Sequence, residues 1–275
     1  MVTRLAKGIA WLPFANLLLL TITLAVSYSI SKSRGLILTP LPFISDTGTF
    51  PPASCWFTFL LNATAYSVAC TGVVRYLQTK EYMGAECVCL RMCNFVCLLL
   101  VLTASLTLSM VASFQETVDE DVHATAAMVA FCCATAYVFL QVTITRAIMQ
   151  DGSFSGLPNS AAIYWTRMWL LFVSMSSMVV MRLFYGWAGV TLPSLSERAT
   201  HKEQFITEVP RPYEEESYYY AATCSEWTLA ISLFMFLLTF SYEFSRVDFT
   251  LDVLYDGYTT ITYPHNHQEE KFRFM

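Results

Sequence analysis

The sequence predicts an all-α fold: a polytopic membrane protein with a six-helix transmembrane bundle and an ordered first outer loop. Three observations carry that reading. The chain is 55% hydrophobic and only 13% charged over 275 residues, about half the ~25% charge usual in a soluble domain. Its apolar residues gather into six runs, each near the ~20 residues a helix needs to cross the hydrocarbon core. None of these runs alternates with the two-residue period of a strand. In lipid only helices and closed barrels satisfy every backbone polar group, so the runs read as helices.

The first span covers about Ile9–Ile30 and follows Arg4 and Lys7. It is longer than the roughly 7–15 residues of a signal-peptide core. Its end, Ser27-Tyr-Ser-Ile-Ser31, offers no small-x-small cleavage site, so it reads as a retained span. Loop one follows and holds the densest turn chemistry in the chain, Phe43-Ile-Ser-Asp-Thr-Gly-Thr-Phe-Pro-Pro-Ala-Ser54. Ser45 and Asp46 are suited to bonding nearby backbone N–H groups, Gly48 to a positive φ, and Pro51-Pro52 to holding off the next helix until residue 53. The expectation is a lid folded over the outer helix ends, with Asp46 bonded inside it. The remaining spans are about Cys55–Val74, Val88–Phe114, Ala124–Ile144, Trp165–Trp187 and Ala221–Phe240. The membrane domain covers residues 1–244, and residues 245–275 read as a short polar tail, too short to bury a core of its own.

Six spans put both termini on one side. With the N-terminus cytosolic, ten Lys and Arg residues fall in inner links and six in outer ones, the direction the positive-inside rule requires. The acidic turn with Glu116, Asp119, Glu120 and Asp121 then falls outside. The sequon Asn62-Ala63-Thr64 falls within span two and is expected to carry no sugar. Net charge is −5, which argues against nucleic acid as a partner.

Ionisable residues at membrane depth usually face the bundle interior. In this topology Asp46, His123 and Glu226 all fall near the outer boundary. They form a candidate outer-face polar pocket, suited to a lipid headgroup or to acid–base chemistry. The plainer reading makes each a helix-end or loop-capping residue. No Gly-x-Ser-x-Gly, His-Glu-x-x-His or P-loop motif supports an enzyme, and no cofactor or metal site is implied. Asn16, Asn62 and Gln141 suit interhelical hydrogen bonds. Of the nine cysteines, Cys87, Cys89 and Cys93 lie at the inner mouth of span three, where palmitoylation or simple packing would account for them. Cys55 and Cys224 both lie near the outer face, within reach of a disulfide in an oxidising lumen. The tail carries Tyr255-Asp-Gly-Tyr258 and Tyr258-Thr-Thr-Ile261, short matches to a sorting signal, together with His265 and His267.

The chain resembles the DRAM (damage-regulated autophagy modulator) family, within the broader group that includes Frag-type and Sfk-type membrane proteins. The stretch Pro42–Ser54 resembles the family's first-loop signature. Trp11-Leu-Pro-Phe14 and Ser27-Tyr28 resemble its first span. Met110-Val-Ala-Ser-Phe-Gln-Glu116 followed by His123 is similar to the end of span three and the start of span four. Ser225-Glu-Trp227 and Phe236-Leu-Leu-Thr-Phe240 are similar to the last span. Ala53 stands where the family usually has Glu, and Ser225 where it usually has Cys. The resemblance implies six spans, cytosolic termini and a non-enzymatic lysosomal or endosomal protein that regulates autophagy through membrane lipids or other membrane proteins. Two alternatives stay open. One is a plasma-membrane, Sfk-like regulator of phosphoinositide kinase assembly. The other is a lipid- or GPI-remodelling enzyme using Asp46, His123 and Glu226.

Overall fold

A computed structural model describes residues 2–37, 39–82, 88–150, 160–187, 213–253 and 259–260. Six long helices are long and apolar enough to cross a membrane. They are α1 (Trp11–Ser33), α2 (Ala53–Tyr82), α3 (Val88–Ser113), α4 (Glu120–Gln150), α5 (Ser160–Trp187) and α6 (Tyr213–Leu238). Each packs on its neighbour in the chain, and α1 also packs on α6, so the bundle closes into a ring.

Several helices run past the apolar stretches that announce them. At 30 residues, α2 is roughly 45 Å long, against about 30 Å of hydrocarbon. Hydropathy marks where lipid ends, whereas helical hydrogen bonding continues through Arg75, Gln78 and Lys80 to Tyr82. At the loop end, α1 stops in a Schellman motif. Gly35 takes φ +67°, its N–H bonds Lys32 O, and Leu36 N–H bonds Ser31 O.

The helical fold carries one addition that the sequence reading leaves as polar ends. A short helix α7 (Ser241–Phe244) follows α6, and strands β1 (Val2–Lys7), β2 (Asp248–Val253) and β3 (Thr259–Thr260) form an antiparallel sheet in the order β1-β2-β3. Gly8 N–H bonds Val247 O, and Ile9 N–H bonds Phe244 O. The stretch before α1 and the stretch after α6 are thereby joined on one side of the bundle. Strands this short carry no signal at the scale of a membrane span, so hydropathy passes over them. The motifs around Tyr255 and Tyr258, and residues His265 and His267, lie outside the described residues.

Close helix approach depends on small residues, as usual in a bundle without a hydrophobic driving force between helices. A Cβ built on Gly72 would lie 2.3 Å from a Val101 methyl, so α2 and α3 meet only because that position is bare.

Candidate functional site

Loop one is tied to the ends of α1 and α6 by polar contacts and packs against α2. Ser45–Gly48 forms a single 3-10 turn. On the α1 side, Ser31 Oγ donates to Thr47 O at 2.8 Å and Ser27 Oγ meets Thr47 Oγ1 at 2.9 Å. On the α6 side, Ile44 N–H donates to Glu226 Oε2 at 2.8 Å, and Trp227 Nε1–H donates to Pro42 O at 2.8 Å. Thus Glu226 and Trp227 act as one staple, binding backbone two residues apart in the loop. Gly48 does not use a positive φ. It lies within the 3-10 turn, where a Cβ would fall 2.2 Å from the Phe57 ring of α2. What it supplies is clearance, and α2 then starts at Ala53, directly behind Pro51-Pro52.

Asp46 is buried under the loop at 3% exposure. Its Oδ2 accepts Phe43 N–H at 3.1 Å and the Tyr219 hydroxyl at 3.3 Å. Burial pushes its carboxyl well above the ordinary carboxylate range. The nearby negative charges of Glu116 and Glu226 push it the same way, and the two hydrogen bonds oppose the rise.

Below the loop, a cavity of about 230 Å³ opens inside the ring. Of the three residues singled out by position, His123 and Glu226 line it, and Asp46 does not. His123 is 6% exposed. Its Nδ1 lies 2.7 Å from Phe114 O. A carbonyl only accepts, so Nδ1 donates to it. Glu116, Ser45, Arg182 and Tyr185 complete the polar rim, and the rest of the wall is apolar down to Tyr137 and Leu237.

The opposite, terminus end holds a cluster that the sequence reading misplaced. Arg75 and Arg167 stand in the inner links of the charge count, yet both are fully buried within helices, as is Glu243 of α7. Glu243 bridges them, Oε1 lying 3.2 Å from Arg75 Nη1 and Oε2 at 2.5 Å from Arg167 Nη2. Arg75 Nε donates to Gln141 Oε1 and its Nη1 to Gln78 Oε1, each at 3.0 Å. Arg167 donates to Thr145 Oγ1 and Thr239 Oγ1, each at 2.9 Å. Both guanidiniums lie within 5 Å of the Phe240 ring centroid, at 4.7 and 4.9 Å, so the ring face helps offset the second positive charge. Removing these two from the count leaves eight inner cations against six, the same direction with a smaller margin. A signal was present. Thr71, Arg75, Gln78 and Thr79 recur at helical spacing on one face of α2, and all four are buried.

Of the neutral polar residues, Asn16 Nδ2 donates to Thr71 Oγ1 at 2.7 Å, joining α1 to α2. Gln141 serves the arginine cluster. Asn62 bonds Thr58 O of its own helix and accepts from Ser109 of α3. Cys55 and Cys224 are free and exposed; Cys89 is exposed, Cys93 half-buried, and Cys87 lies outside the described residues.

A family model described as the Frag1/DRAM/Sfk1/Cwh43P N-terminal domain matches residues 8–247. The chain is 28% identical over 273 residues to "DNA damage-regulated autophagy modulator protein 2" of Mus musculus, covering 95% of this chain and 94% of that one. It is 29% identical over 253 residues to "DNA damage-regulated autophagy modulator protein 1" of Homo sapiens, covering 91% and 97%. A shorter similarity, 33% over 143 residues, joins it to "Modulator of macroautophagy TMEM150B" of Xenopus tropicalis, covering 50% and 60%. No solved structure matches the chain.

Proposed function

Because the chain belongs to the Frag1/DRAM/Sfk1 family of membrane proteins, we propose that it regulates autophagy, without catalysis, from the lysosomal or endosomal membrane. It is an integral membrane protein with six spanning helices. The carrying observation is that its similarity to two proteins named as autophagy modulators runs through nearly the whole length of both partners. Nothing is confined to one motif, and the similarity spans the segments that form bundle, loop and terminal helix here.

The mechanism proposed is lipid or protein contact within the membrane. The loop end faces the lumen and the joined termini face the cytosol. Relatives named as modulators rather than enzymes support the non-catalytic reading. So does the use made of Asp46 and Glu226, whose carboxylates hold loop backbone.

The test has two parts. A tagged copy should colocalise with a lysosomal membrane marker, and its tag, at either terminus, should be digested by protease added to intact organelles. Deletion should then lower the lysosomal degradation of a fluorescent autophagy cargo, restored by re-expression. Unchanged flux would overturn the proposal. A tag found only at the cell surface would replace it with the plasma-membrane reading.

A further inference from the structure

We infer that the cavity inside the ring takes one single-chain amphiphile bearing a protonated amine, its ammonium at Glu116 and Glu226 and its alkyl chain along the shaft. This rests on the reading of the protein as one that acts through membrane lipid, and names the ligand class.

Shape comes first. The cavity wall runs along α4 from His123 to Val138 and along α6 from Glu226 to Leu237, which at 1.5 Å per residue is roughly 16–22 Å of depth. A volume of about 230 Å³ spread over that depth is a narrow shaft. It lies below the ~300–1,000 Å³ of pockets that hold compact drug-sized ligands. A single chain suits it and a two-chain lipid does not. Between rim and floor the wall is apolar, with Leu61, Val101, Ala130 and Leu233 among its side chains.

The rim supplies the headgroup chemistry. Glu116 and Glu226 are acceptors, and they lie close enough to Asp46 to repel its charge. His123 is buried beside them, with Nδ1 held by Phe114 O. An ammonium has three N–H donors and a positive charge. It matches the carboxylate oxygens that Glu116 and Glu226 bring to the rim. Arg182 is the cation of the lining, and it is exposed. A fatty acid would bring a carboxylate to a rim that is already acidic. Two sources supply the amine: a long-chain base, or a lysophospholipid with an ethanolamine headgroup whose phosphate would fall to Arg182.

The test uses the full chain in phosphatidylcholine nanodiscs, with direct binding of dodecylamine, lysophosphatidylethanolamine, dodecanol and dodecanoate. The amines should bind at least about tenfold more tightly than dodecanol, since an ammonium adds a charge to its hydrogen bonds with the carboxylates that a hydroxyl lacks. Dodecanoate should be the weakest. Glu226→Gln keeps an acceptor for Ile44 N–H, so the loop should hold. It should weaken amine binding about tenfold with dodecanol unchanged. Ala130→Phe should fill the shaft and abolish binding of every chain. Preference for dodecylamine over lysophosphatidylethanolamine would assign the site to long-chain bases, and the reverse to phospholipids. Equal binding of dodecanoate and dodecylamine would overturn the proposal, as would undiminished binding by a folded Ala130→Phe protein. Neither result bears on autophagic flux, so this proposal and the functional reading fail separately.

Discussion

Replacing Glu243 with Ala should be among the most damaging single changes in the described chain. Glu243 is the carboxylate between Arg75 and Arg167, and all three side chains are fully buried. With Glu243 gone, two guanidiniums remain in one dry pocket with only Gln78, Gln141, Thr145 and Thr239 as neutral acceptors. Losing one partner of a buried ion pair costs about 3–5 kcal/mol, mostly because a charge is left buried and uncompensated. Here two are left, so the upper half of that range applies. At 2–4 °C per kcal/mol, the midpoint should fall by about 8–20 °C. Thermal unfolding of the purified protein in nanodiscs reads this directly. The triple replacement Arg75→Met, Arg167→Met, Glu243→Leu removes all three charges and should recover most of the loss, because apolar groups of similar volume replace buried ion pairs at little cost. A drop below about 1 kcal/mol for Glu243→Ala would refute the reasoning. So would a triple variant as unstable as the single one.

Three further outcomes follow from the loop and the helix contacts. Free Asp titrates near 3.9, whereas folded Asp46 holds its proton to higher pH. Between those values the native state binds more protons, so this group makes the protein more stable as pH falls and less stable as it rises. Asp46→Asn keeps an acceptor for Phe43 and Tyr219, so it should equal or exceed wild type at neutral pH. That difference should close on acidification, and a gap that widened in acid would contradict it. Gly72→Ala should cost about 1–3 kcal/mol through overpacking against Val101. Val101→Ala should restore part of that loss; additive losses would show that the contact is not the cause. Asn62 lies mid-helix, bonded to Thr58 and Ser109, so endoglycosidase should leave the protein's gel mobility unchanged.

The number of spanning helices, their order and the position of the first loop were legible because each leaves a local mark: an apolar run of span length, or a knot of Pro, Gly and Asp. The partners of the loop were not. Glu226 is 182 positions from Ile44, and no local pattern records that a carboxylate on α6 will hold backbone between α1 and α2. Gly48 shows the limit most plainly. Its sequence neighbours suggest a left-handed turn, but the structure uses it for clearance from Phe57, a contact that exists only once α2 has folded back. Arg75 and Arg167 misled for a related reason. A charged residue at the edge of an apolar run looks solvent-facing until the partner that neutralises it, here on α7, is placed beside it.

Three stretches that are far apart in sequence therefore converge on one physical object. Pro42 and Ile44 of the first loop are bonded to Trp227 and Glu226 of the last helix, and Phe114 is bonded to His123 of α4; of these, Ile44, His123 and Glu226 line the same cavity. Glu226 belongs to both the staple and the rim, since one of its oxygens holds Ile44 N–H while the residue lines the cavity. A ligand that draws on Glu226 must act on the hydrogen bond that fixes the loop. Occupancy of the shaft and order of the loop are then linked quantities. Glu226→Gln, which separates charge from hydrogen bonding, should weaken the ligand while leaving the loop protected from protease. Glu226→Ala should lose both. If the two variants expose the loop equally, the charge of Glu226 rather than its hydrogen bond is what holds the loop down.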